Sequence, residues 1–188
     1  MKDCLKHIDA IAIGGSAGSF DIIIEFVRCL PSNLDVPVFI TIHVGENSAG
    51  ELANIFQEET SLKVNKGIGQ LPIVKGEIYV APPDYHLCVS MNHKIELVFD
   101  DLVSYARPSI DVMFESLADV YDSGLLAILL SGANSDGAEG LKEIKSRSGM
   151  TIVQNPETAT SPRMPKSAIK INAHSLILSP EEIINYIN

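Results

Sequence analysis

IDAIAIGGSAGSF, from Ile8 to Phe20, runs from an apolar, β-branched segment into a turn bracketed by glycines. A strand that enters a helix through such a turn opens an α/β unit. The turn can cradle a phosphate, present Ser16 as a nucleophile, or only reverse the chain. The phosphate reading fails on spacing: the glycines stand at 14, 15 and 18, outside GxGxxG, and no Walker lysine follows. Residues 14 to 18 do satisfy GxSxG. In α/β-hydrolases, however, the triad order is Ser, Asp, His and earlier strands supply an oxyanion donor. Here the plausible histidine precedes the acid and only one strand precedes Ser16, so the motif match does not carry that fold.

Working outward, β-branched runs alternate with helix-period segments. Ile8–Ile13 reads as a strand, and a helix from about Phe20 to Leu30 sets Ile23, Phe26, Val27 and Leu30 on one face before Pro31 ends it. Val36–His43 reads as a second strand and Gly50–Glu59 as a short helix. Gly76–Val80, His86–Ser90 and Lys94–Phe99 are short runs separated by turn residues, which predicts a small antiparallel patch. Ser109 is an N-cap for a helix over Ile110–Tyr121, and Leu125–Leu130 is apolar enough for a strand buried on both faces. A helix over Asp136–Ser148, strands at Thr151–Val153 and Ser175–Leu178, and helices at Pro165–Ile171 and Pro180–Tyr186 complete the series. The pattern predicts a doubly wound, mainly parallel α/β sheet, Rossmann-like, with helices on both faces.

A chain of 188 residues suits one core, so a single domain over 1–188 is expected. The formal net charge of -10 argues against nucleic acid, whose phosphates demand a basic footprint, and against an anionic membrane surface. No apolar run is long enough to span a bilayer, and the N-terminus MKDCLKHIDA lacks a signal-peptide core. Cys4, Cys29 and Cys88 share no CxxC spacing and read as reduced thiols of a cytoplasmic protein. His7, His43, His86, His93 and His174 show no metal-ligand spacing.

Three polar residues stand just past strand ends, where open α/β sheets gather their ligands. Ser16 follows the first strand, His43 closes the second, and Asp136 follows Leu125–Leu130 in the loop SGANSDG. Together they form the set for an activated hydroxyl, in which imidazole takes the serine proton and the carboxylate orients the ring. Each has a plainer role open to it: Ser16 as a turn residue, His43 as a core histidine, Asp136 as the cap of the following helix. The triad arrangement predicts His43 Nε2 toward Ser16 and Nδ1 toward Asp136.

The chain resembles the catalytic domain of CheB-type chemotaxis receptor methylesterases, from about Ile8 to the C-terminus. IGGSAGS is similar to that family's nucleophile turn and ITIHV to the strand ending in its general base. KGEIYVAPPDYHL, RPSIDVMFESLA from Arg107, LLSGANSDGAEG and QNPETATSPRMPKSA follow in the family's order. The resemblance implies Ser16 as nucleophile, His43 as base and Asp136 as triad acid. It implies hydrolysis of γ-glutamyl methyl esters on the cytoplasmic region of methyl-accepting chemoreceptors, with deamidation of glutamine as an associated activity and no cofactor. Backbone N–H groups near Ala17 and in the SGANS loop are oxyanion-hole candidates. Arg107 and Met164 are candidates for the substrate wall, although Arg-Pro-Ser is equally a helix entry and a Pro after Met164 a helix start. His86 reads as structural.

Two features depart from the family pattern. Ala133 stands where family loops carry methionine, which changes side-chain packing against substrate while sparing the backbone donor. Familiar members also carry an N-terminal receiver domain, and the resemblance here begins almost at residue 1. This leads to the expectation that activity is indifferent to acyl phosphate donors. The rival reading is an interaction module of the same fold that has lost turnover; intact Ser16, His43 and Asp136 weigh against it.

Overall fold

β1 (Ala10–Gly15) is buried along its whole length, and its alternation already sorts the two faces of the sheet. Ile11 and Ile13 belong to one apolar cluster, while Ala10 and Ala12 belong to the other. The computed structural model describes residues 7–44, 51–66 and 69–187. Its main sheet has seven strands in the order β3-β4-β2-β1-β7-β8-β9, and every pairing in it is parallel. β2 (Val38–Ile42) and β7 (Leu125–Leu129) flank β1 and are likewise buried throughout, as strands covered on both faces must be.

One face of the sheet carries α1 (Phe20–Cys29), α2 (Leu52–Glu59) and α6 (Pro180–Ile187), which contribute Phe26, Phe56 and Ile183 to its core. The other carries α3 (Ile110–Tyr121), α4 (Ala138–Ser146) and α5 (Arg163–Lys170), with Phe114, Leu141 and Met164 inside. Small residues on that side of β1 let α3 approach closely. A Cβ at Gly14 would lie 2.3 Å from Ile110 Cγ2, a separation no packed core tolerates.

Two sequence expectations change. Glu77–Val80 is not part of an antiparallel patch: as β4 it lies between β2 and β3 (Lys63–Lys66), parallel to both. Only β5 (His86–Val89) and β6 (Ile95–Val98) pair antiparallel, as a separate hairpin whose Leu87, Val89 and Ile95 join the second core. The edge strand β3 was not anticipated, because KVNK buries only Asn65 and carries no period-2 apolar signal. β8 (Met150–Gln154) and β9 (Leu176–Leu178) complete the opposite edge. The helix expected from Gly50 is α2; its first expected residue lies outside the described ones.

The chain passes from β1 to β2 on one side and resumes with β7 on the other. The switch point therefore lies at β1, and the crevice for a ligand opens beyond the carboxyl ends of β2, β1 and β7. Among the described residues, no helix is long and apolar enough to cross a membrane.

Candidate active site

Strand register places Ser16 and His43 side by side. Gly15 pairs with Ile42, and His43 N–H donates to Gly15 O at 3.0 Å, so the next residues of β1 and β2 emerge as neighbours. β1 is tied on its other flank through Leu130 N–H to Gly14 O (2.9 Å) and Ser16 N–H to Ser131 O (2.9 Å). Ser16 then turns sharply: Ser19 returns both its N–H (3.0 Å) and its hydroxyl (2.7 Å) to Ser16 O. Gly18 closes that turn at φ +81°, a conformation that glycine adopts at no steric cost.

With Ser16 N–H already committed, the N–H of the exposed Ala17 has no acceptor among the described residues. It lies two residues before Ser19, the N-cap of α1, on the side where the helix dipole favours developing negative charge. Ser131 Oγ fastens the turn from below by donating to Ala17 O at 2.7 Å and accepting Ser161 N–H at 2.9 Å.

Asp136 is wholly buried, and its carboxylate gathers donors from three directions. Oδ2 accepts Ile110 N–H at 2.7 Å and lies 2.9 Å from His43 Nε2. Oδ1 accepts from Ser109 Oγ at 2.8 Å, and from Asp111 N–H and Gly137 N–H at 3.1 Å each. Burial alone would raise its pKa. The contact with His43 and the bonds from Ile110, Asp111 and Ser109 outweigh that and hold it below the ordinary carboxylate range. Asp136 does cap a helix, but the helix is α3, which precedes it in sequence, rather than α4, which follows.

His43 is nearly buried, with 15% of its side chain exposed. Its nitrogen at Asp136 is Nε2, not the Nδ1 that the triad arrangement led us to expect. The Nε2–H direction does not meet the carboxylate oxygen squarely, so the contact is a close approach rather than a well-aligned hydrogen bond. Nδ1 is the nitrogen that remains for Ser16. Ser16 Oγ and His43 are not hydrogen-bonded to each other in this state.

Ser16, His43, Asn134 and Arg107 line one cavity of about 670 Å3, walled further by Pro83 and Tyr105. Arg107 stacks on Phe99, its guanidinium carbon 3.9 Å from the ring centre, and donates Nη1 to Asp100 O at 2.7 Å. Its Nε is buried without a partner among the described residues. The peptide between Arg107 and Pro108 is cis. Ala133 is exposed but lies outside this cavity, in a neighbouring groove. Met164 is fully buried, with its thioether packed against Gly132, so it supports the 131–134 loop from beneath.

Two residues of the site were in a motif but not recognised individually. Ser109 caps α3 and bonds Asp136 with the same hydroxyl, and Asp111 sends a carboxylate to Gly140 N–H at 2.8 Å. Their signal was the RPSID segment, whose serine was read only as a cap. His86 is buried, accepts Ser109 N–H on Nδ1 (3.1 Å) and meets Asp101 O through Nε2 (3.1 Å), pinning the hairpin to the start of α3. Among the described residues, no cluster of three His, Cys, Asp or Glu could hold a metal ion.

The CheB methylesterase family model matches residues 11–187. A putative protein-glutamate methylesterase/protein-glutamine glutaminase of Leptospira interrogans is 39% identical over 94% of this chain and 92% of its own length. The protein-glutamate methylesterase/protein-glutamine glutaminase 3 of Pseudomonas aeruginosa is 33% identical over 92% of this chain, which spans about half (52%) of that relative. The crystal structure of the Thermotoga maritima CheB methylesterase catalytic domain superposes with a TM-score of 0.89 at 26% identity, covering 96% of this chain and 97% of that one. By sequence and by fold alike, the chain belongs to the CheB methylesterase family.

Proposed function

We propose that the chain is a serine hydrolase that removes methyl groups from glutamyl methyl esters of proteins. The observation that carries this reading is the alignment of Ser16, His43 and Asp136 across the switch point. Ser16 and His43 are register neighbours in one cavity, and His43 Nε2 lies 2.9 Å from a buried, anionic Asp136.

Each residue has a chemical role consistent with its surroundings. Asp136 holds the imidazole by Nε2 and stabilises its cation. His43 Nδ1 takes the Ser16 hydroxyl proton as Oγ attacks the ester carbonyl carbon. The oxygen that becomes negative is offered the Ala17 N–H, just ahead of α1. Collapse of the tetrahedral intermediate breaks the bond to methoxide, which leaves as methanol with the proton from His43. Water, deprotonated by the same imidazole, then cleaves the glutamyl–serine ester and releases glutamate. Attack on a glutamine side chain follows the same path with ammonia as the leaving group. The polypeptide substrate in this reading is a methylated chemoreceptor.

Methanol release from methylated chemoreceptor preparations tests the reading. The parent chain releases methanol and Ser16→Ala does not; release by both, or by neither, overturns it.

A further inference from the structure

α5 carries three cations and no anion in eight residues: Arg163, Lys166 and Lys170. Its opposite side, Met164, Pro165 and Ala168, is buried. The three cations recur at intervals of three and four, so they share the outward face, and all three are exposed. The chain has 24 acidic and 14 basic residues. Arg28, Lys63, Lys142 and Arg147 pair with carboxylates. Among the described residues Arg163, Lys166 and Lys170 make no ion pair. They line a groove of about 550 Å3 together with Ala133, Thr160 and Ser161.

This groove is joined to the active-site cavity by one loop. Asn134 lines the cavity and Ala133, its neighbour, lines the groove. Ser131 in the same loop bonds both Ala17, next to Ser16, and Ser161, in the groove wall. A segment bound at Ser16 that runs over the 131–134 loop would therefore meet the groove beside α5.

We infer that this groove is a docking site for acidic side chains flanking the ester on the polypeptide substrate. The inference rests on the glutamyl esterase reading of the site and adds to it the charge of the surrounding substrate. The argument is one of complementarity. A protein of net charge -10 repels a substrate whose hydrolysed positions are carboxylates, unless a local positive face receives it. α5 is that face, adjacent to the nucleophile. Ala133 keeps the groove open at the point where a longer side chain would enter it.

The test uses two synthetic peptides, each with one central γ-methyl glutamate, flanked in one by glutamates and in the other by glutamines. A small uncharged γ-methyl glutamyl ester serves as reference. With Lys166→Glu and Lys170→Glu combined, KM for the glutamate-flanked peptide should rise about fivefold or more, since several exposed charges facing one partner act as a network rather than as isolated pairs. kcat, and KM for the glutamine-flanked peptide, should stay within about twofold, and the parent's preference should fade as salt is raised. An equal rise in KM for both peptides, or no rise for either, overturns the inference. If the parent hydrolyses neither peptide nor the small ester, the esterase reading fails on its own. Binding of a fluorescent glutamate-flanked peptide lacking the ester then decides the docking question, with parent binding and loss in the double variant supporting it. Equal displacement of that peptide by inorganic phosphate or duplex DNA would make the groove a general anion site and overturn the assignment.

Discussion

Asp111 and Asp136 cap each other's helices. Asp136, just before α4, turns its carboxylate onto the first N–H groups of α3, accepting from Ile110 at 2.7 Å and Asp111 at 3.1 Å. Asp111, in the first turn of α3, returns Oδ1 to Gly140 N–H in the first turn of α4 at 2.8 Å. Each dipole welcomes a negative charge, but two buried carboxylates this close do not both ionise easily. Asp136 keeps its charge because His43 faces it. Asp111 does not: burial, opposed by Gly140 N–H and reinforced by Asp136 and Glu115, pushes it up to about 7.

That difference sets a pH dependence. Folded Asp111 keeps its proton up to about 7, whereas the unfolded residue loses it near the ordinary aspartate value of 3.8. Between those values the folded chain binds more protons, so the Asp111 contribution to stability falls as pH rises through the window. Asp111→Asn abolishes the titration and retains an oxygen for Gly140 N–H. Its Tm should exceed that of the parent at pH 8 and the difference should shrink toward pH 4.5. A Tm difference that does not vary with pH would remove Asp111 from this account.

The turn after Ser16 makes a steric prediction. A Cβ at Gly18 would sit at φ +81° and 2.4 Å from Thr160 Cβ. Gly18→Ala therefore combines a left-handed conformation costing roughly 1–2 kcal/mol with overpacking of similar size. Thr160→Gly added to it should recover the overpacking part of the lost Tm and leave the rest. Complete recovery would mean that the turn carries no conformational requirement.

Ser109 offers a separation of capping from positioning. Its hydroxyl donates to Asp136 at 2.8 Å and accepts Val112 N–H at the long distance of 3.4 Å. Ser109→Ala should cost about 1 kcal/mol as a lost cap. It also removes one of the bonds that hold Asp136 ionised, so the acid limb of the pH–rate profile should move upward. Ser109→Thr keeps the hydroxyl and should restore the profile. A lower Tm with an unmoved profile would confine Ser109 to capping.

Much of this was readable in the chain because local and tertiary signals agree. β1, β2 and β7 are apolar runs ending at Ser16, His43 and the loop to Asp136, and parallel topology alone brings those ends together. What escaped the sequence depends on long-range partners. Glu77–Val80 has the same local pattern as β5, and only its docking beside β2 makes it a parallel strand. The choice of Nε2 for Asp136 follows from where α3 holds that carboxylate, 26 residues along the chain from Ile110. Asp136 as the cap of an earlier helix has no local signature at all.

The triad members should be unequal, and the structure alters how that inequality is measured. In the proposed mechanism Ser16→Ala removes the attacking oxygen and His43→Ala its base, so each alone should nearly abolish turnover. Asp136→Asn takes the charge from behind Nε2, and a protease triad loses as much as roughly 10⁴ in kcat by the same change. The carboxylate it replaces also accepts from Ile110, Asp111, Gly137 and Ser109. An amide has one oxygen for these donors and turns an NH2 toward the remainder. Each buried donor left unpaired costs about 1–3 kcal/mol, so Asp136→Asn should lose stability as well as rate. Rates must therefore be compared well below the Tm of the variant. Because the three residues act together, Ser16→Ala with Asp136→Asn should be scarcely slower than Ser16→Ala alone, although less stable. If Asp136→Asn melted earlier yet turned over like the parent, Asp136 would be a helix cap only, and His43 would need another partner.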